Sequence, residues 1–157
     1  MTDAPAFRRG RVLALDVGRR RIGLAISDET RTAVRGLPTL ERTKSRQDVA
    51  RIAAIASEYD AGLLLIGLPV DLNGADTEMT EHARAFAAQL QRRTRLPVEF
   101  EDERLTSFEA EQRLGGSVAK RERRGGIVDQ TAAVLLLEAY LRSNSAFSGI
   151  HSPEADA

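Results

Sequence analysis

Residues 62–67 read GLLLIG, an apolar run without alternation. A strand with one wet face alternates apolar and polar side chains, so this run belongs to a strand covered on both faces, as in the parallel part of an α/β sheet. Pro69, which cannot donate to a ladder, ends it. The chain must therefore lay helices over both faces of a sheet, and it has the segments to do so. Ser45 can cap a helix over 45–59 in which Val49, Ile52, Ala53, Ile55 and Ala56 recur at helical spacing. Beyond Asn73-Gly74, a helix over 76–93 starts acidic and ends in arginines, matching the helix dipole. A last helix over 127–142 is strongly apolar.

The remaining strands are shorter. RVLALDV and RIGLAIS, separated by Gly18 and arginines, read as a hairpin; weaker strands are expected over 33–40 and 96–101. Thr106 with Glu109 makes a capping box for a short helix over 106–114, and two glycine pairs then bracket a basic loop holding Lys120, Arg121, Arg123 and Arg124. The order ββ(β)αβαβαα gives an α/β fold with a mixed five-stranded sheet: an antiparallel hairpin, then parallel strands, with helices on both faces. At 157 residues the chain is the length of one domain, expected over 11–143 between flexible tails at 1–10 and 144–157.

No apolar run approaches the roughly 20 residues that span a bilayer, and the first residues lack a stretch of signal-peptide length. The absence of cysteine excludes disulfides, thiolate metal sites and cysteine nucleophiles. A cytoplasmic protein without a membrane partner is expected. The net charge is zero, but residues 1–51 hold 12 Lys+Arg against 6 Asp+Glu, and residues 52–112 hold 5 against 12. That asymmetry suits a chain that grips a polyanion and concentrates carboxylates in one place.

Asp16 shares strand parity with Val12 and Ala14, inside a run otherwise built for burial. A buried carboxylate needs a cation, hydrogen bonds or a place at the sheet's open end; capping the Gly18 turn is the alternative. Asp102 follows Val98 and Phe100 on one side of its strand, with Glu101 and Glu103 on the other. Asp129 opens the last helix, where the dipole alone would also explain it. Three acids at two strand ends and one helix start can converge on one point, and carboxylates that converge need a cation between them. Oxygen-only donors suit Mg²⁺ or Mn²⁺, and two such ions about 4 Å apart can hydrolyse a phosphodiester. Arg19, Arg20 and Arg21, Arg104 and the basic loop could bind phosphates, or solvate turns. His82 and His151 take no role.

The stretch LDVGRRRIGLAISD, with Asp16, Gly18, Arg21, Gly23, Ala25, Ser27 and Asp28, resembles the opening signature of the bacterial YqgF family, a ribonuclease H-like group. GLP at 67–69 followed by Asn73-Gly74, DERLTS at 102–107 and IVDQTAA at 127–133 resemble its later blocks, in order. The resemblance implies a ribonuclease H-like nuclease with a two-ion Mg²⁺ or Mn²⁺ site. Asp16 would bridge the metals, with Asp129 and an acid of the DER block completing the set. Strand parity favours Asp102 there, with Glu103 as the rival and Glu101 the weaker candidate. The implied substrate is nucleic acid: the 5′ end of pre-16S rRNA first, with ribosomal particles as a partner, or branched DNA cut as a Holliday junction resolvase. Both monomer and homodimer fit. Two other classes compete. One is a non-catalytic nucleic-acid-binding assembly factor; the other, an actin-like ATPase opening on Asp-x-Gly, would need a second lobe for which this chain is too short.

Overall fold

The computed structural model describes residues 10–69, 73–102 and 127–156, with side chains of the last helix described from Gln130 to Asn144. Residues 1–9 of the N-terminal tail expected over 1–10, the 106–114 helix and the basic loop lie outside these residues. Strands β1 (Arg11–Val17) and β2 (Arg21–Ser27) form the expected antiparallel hairpin. Gly18 N–H donates to Arg21 O at 2.9 Å to close it, and a Cβ at Gly18 would lie 2.9 Å from that same carbonyl oxygen, so the turn requires glycine. Strand β3 (Val34–Glu41) pairs antiparallel to β2. The β2–β3 turn is organised by Asp28, whose carboxylate accepts from the backbone N–H groups of Thr32 (2.8 Å) and Ala33 (3.2 Å).

Helix α1 (Ser45–Glu58) leads to β4 (Ala61–Leu68), parallel to β1; α2 (Glu78–Thr94) leads to β5 (Val98–Asp102), parallel to β4. Helix α3 (Ile127–Asp156) follows. The sheet order is β3-β2-β1-β4-β5, the mixed five-stranded arrangement expected from the sequence. Thr77 and Thr80 cap α2 reciprocally, each side chain accepting from the other's backbone N–H.

Two apolar clusters sandwich the sheet. Leu13, Leu15, Leu24, Leu64 and Ile66 pack with Ile52, Phe86 and Leu90 of α1 and α2; Val12, Ala14, Ala25, Leu63 and Leu65 pack with Ala133, Leu136, Leu137 and Tyr140 of α3. This is why β4 reads apolar without alternation: both of its faces are covered. Two expectations need correction. Ser45 is the first helical residue rather than the cap, a place taken by Lys44 with no side-chain acceptor; Ser45 Oγ instead accepts from Arg42. The last helix also continues past Arg142 through Asp156, across the expected tail. Asn144, a residue suited to ending a helix, donates back to Tyr140 O at 2.7 Å. Among the described residues, no helix is long and apolar enough to cross a membrane.

Candidate active site

Asp16 lies one residue before the end of β1 and is half-buried. It shares a face with Val12 and Ala14, the face covered by α3. Its registered partner on β2 is Gly23. On the other side, Leu15 pairs with Ile66 and Gly67 pairs with Glu101, so Asp16 falls level with Gly67 of β4 and, one strand further, with Glu101 of β5. The carboxylate is therefore flanked by glycine on both neighbouring strands, and neither glycine puts a side chain beside it. Strand spacing sets the Asp16 and Glu101 Cα atoms ~10 Å apart, two spacings, across the bare backbone of Gly67.

The register separates the two acids at the end of β5. Asp102 is level with Leu68, which packs with Val98 in the cluster under α1 and α2, so Asp102 belongs to the face opposite Asp16. The parity argument favouring Asp102 equates the side carrying Val98 with the side carrying Val12, and these are opposite faces. Glu101 has the parity of Asp16. Burial, then the charges of Asp102 and Glu99, raise its carboxyl above the usual range. Glu99, on the same face, accepts from Tyr140 Oη at 2.9 Å and ties β5 to α3.

Helix α3 brings its first turn to the same end of the sheet. Gln130 Nε2 donates to Leu37 O (2.9 Å), and Leu37 pairs with Leu24, itself the partner of Leu15. Further along, Glu138, Leu141 and Arg142 line a cavity with Val34, the partner of Ser27 at the opposite end of the strands. The helix thus descends from the Asp16 end, with Asp129 in its first turn. Among the described residues no three acids or histidines gather as a metal cage; Glu103 lies outside them, as do Arg104, Lys120, Arg121, Arg123 and Arg124.

The three turn arginines take different places. Arg20 is exposed, and Arg21 Nε donates to Glu41 Oε2 at 3.0 Å across the β2–β3 pair. Arg19 turns toward the other face, where it stands 3.5 Å from Glu78 and lines a cavity with Arg42, Thr43, Ser45, Met79 and His82. Arg42 is the organising side chain there, and sequence reasoning passed over it. Its side chain is 9 % exposed; Nε donates to Asp48 (2.9 Å), and Nη1 donates to Gly18 O (2.9 Å) and His82 Nε2 (3.0 Å). Burial opposes ionisation of Asp48, but hydrogen bonds from Thr43 and Arg42 outweigh it and hold the carboxyl below its ordinary value. No local motif marks this group, because it joins residues as far as 40 positions apart.

Comparison with known proteins gives this geometry its context. A family model described as RuvX, Holliday junction resolvase, matches residues 10–143. A protein of Koribacter versatilis, named "Putative pre-16S rRNA nuclease", is 44% identical over 137 residues, spanning 87% of this chain and 90% of its own. One of Synechococcus elongatus with the same name is 43% identical over 129 residues, covering 82% and 87%. Among solved structures, Thermus thermophilus RuvC in complex with Holliday junction substrate superposes with a TM-score of 0.54 at 14% identity, over 86% of this chain and 96% of that one. The fowlpox virus resolvase with Holliday junction DNA gives 0.52 at 11% identity, over 85% and 97%. These two likenesses establish the fold as ribonuclease H-like.

Proposed function

The chain belongs to the RuvX family, the YqgF group of the sequence resemblance, and is a nuclease; from that premise we propose that it trims the 5′ end of the 16S rRNA precursor, using divalent ions held at the Asp16 end of the sheet. The observation carrying the metal reading is Asp16 itself, a half-buried carboxylate level with Gly23 and Gly67, neither of which sets a side chain beside it, on the face that α3 covers. The donor set fits a hard cation, because every candidate is a carboxylate oxygen. Mg²⁺ or Mn²⁺ bound there would neutralise charge on the phosphate and activate water. Asp16 would hold the ions, Asp129 would contribute from the first turn of α3, and the third acid would come from Glu101, Asp102 or Glu103. The register supports Glu101 for the shared face. Arg20, Arg104 and the basic residues Lys120, Arg121, Arg123 and Arg124 would take the flanking phosphates, with Arg21 available if it leaves Glu41.

The names of the relatives favour pre-16S rRNA; the description of the family model favours the junction. Cleavage of an end-labelled 16S precursor 5′ segment and of a four-way DNA junction, each with Mg²⁺ or Mn²⁺, decides between them. The wild type is expected to cut the RNA, and Asp16→Asn to bind it without cutting. Paired symmetric cuts in the junction alone would establish a resolvase, which must act as a dimer. Binding of both substrates with cleavage of neither would leave an assembly factor, and full cleavage by Asp16→Asn would overturn the metal assignment.

A further inference from the structure

The cavity on the far side of the β1–β2 turn has the chemistry of an anion site. It encloses about 510 Å³, within the ~300–1,000 Å³ common for ligand sites. Arg42, in its lining, shares the carboxylate of Asp48 behind it with a second cation, Arg51, so that group carries a net positive charge beside the cavity. Arg42 is rigidly held, stacked 5.0 Å over the Phe86 ring with its hydrogen bonds fixing the guanidinium, and its Nη2 donates to Ser45 Oγ at 3.4 Å. His82 Nε2 accepts from Arg42, which puts the imidazole proton on Nδ1 as a donor. Burial, and then the charges of Arg42 and Arg19, lower the pKa of His82. The wall is completed by Arg19, whose pairing with Glu78 at 3.5 Å is 69 % exposed on the arginine side and 91 % on the glutamate. An exposed pair of that kind is weak, and a stronger anion can replace the glutamate.

We propose that this cavity is a second phosphate subsite, in which Arg19, Ser45 Oγ–H and His82 Nδ1–H bind a phosphodiester of the nucleic-acid substrate away from the scissile one. The inference rests on the nuclease reading and adds a direction to it. Arg19 follows Asp16 by three residues, yet the cavity opens on the α1 and α2 face while Asp16 opens on the α3 face. A strand engaged at both places crosses the end of the sheet over the β1–β2 turn, and Gly18 O is already occupied in holding Arg42 beneath it.

The sequence holds two histidines, so His82 can be followed by its Cε1–H resonance, assigned with a His151→Gln control. Wild-type protein in EDTA is titrated with pH alone, with the 16S precursor RNA segment, with a four-way DNA junction, and with inorganic phosphate. An anion beside His82 stabilises the imidazolium, so the nucleic acid that binds is expected to raise its pKa by about one unit. Arg19→Gln, at an exposed position, is expected to lose most of that rise and to lower the salt slope of binding by about one. Tight binding of either nucleic acid with His82 unmoved overturns the subsite and leaves the nuclease reading intact. A shift with inorganic phosphate but none with nucleic acid makes the cavity a site for a free anion and also overturns it. Binding of neither nucleic acid overturns both readings.

Discussion

Glu101 and Asp102 are adjacent, yet the register puts them on opposite faces of β5, so their variants separate the two assignments. Glu101→Gln is expected to weaken Mn²⁺ binding by about 10–100-fold, measured by calorimetry, with a parallel loss of cleavage. Asp102→Asn is expected to have the smaller effect; the reverse order would return the ligand to Asp102. Asp28 provides a pH test away from the site. The backbone N–H groups of Thr32 and Ala33, with the Thr30 and Thr32 hydroxyls, lower its pKa from 3.8 to about 2. A depressed folded-state pKa means that its contribution is complete above the unfolded value and is lost as pH falls from about 4 through about 2. Asp28→Asn is expected to flatten that part of the acid limb in urea midpoints measured against pH, and an unchanged limb would contradict it. At this scale the half-buried place of Asp16 near the end of β1 was legible, because a carboxylate inside RVLALDV breaks its own pattern. The opposite faces of Glu101 and Asp102 relative to Asp16 were not. Parity says which residues share a side of one strand, and only the register against β4 and β1 says which side.

The elements were legible wherever apolar spacing set them. All five strands and the first two helices lie within a few residues of their expected ranges. The end of α3 escaped, because a polar run such as Ser143 and Asn144 can continue a helix when its side chains bond back to it. So did the contact that seats its first turn. Gln130 lies directly over Gly36 of β3, where a Cβ would come within 2.5 Å of Gln130 Cγ and 2.6 Å of Cδ. Gly36→Ala is thus expected to swing Gln130 away, break its hydrogen bond to Leu37 O and move the turn that bears Asp129. Cleavage should fall several-fold while stability falls by only about 1 kcal/mol, the scale of one hydrogen bond. A second substitution, Gln130→Ala, should then cost little more, since both act through the same contact. Additive losses in the double variant would show that Gly36 acts by another route.

Over the whole molecule, one sheet is shared by two cores, so neither can loosen alone. Leu136, 1 % exposed, belongs to the α3 cluster, and Leu136→Ala is expected to cost about 2–5 kcal/mol in urea unfolding. The loss should appear at the same midpoint by circular dichroism and by protection of the α1–α2 side; separate midpoints would mean that the faces unfold independently. The two-core plan followed from the unalternated β4, whereas the cavity behind the β1–β2 turn could not, since it joins that turn, α1 and α2 only once the sheet exists. The bond between Tyr140 and Glu99 has an optical consequence. The chain has two tyrosines and no tryptophan, and the Tyr140 phenol, its pKa pushed up to about 12 by burial and then by Glu99, donates to a carboxylate two residues from Glu101. A carboxylate acceptor quenches tyrosine emission. The molecule therefore contains its own fluorophore on α3 and its quencher on β5, and any ligand that draws β5 away from α3 brightens it without a label.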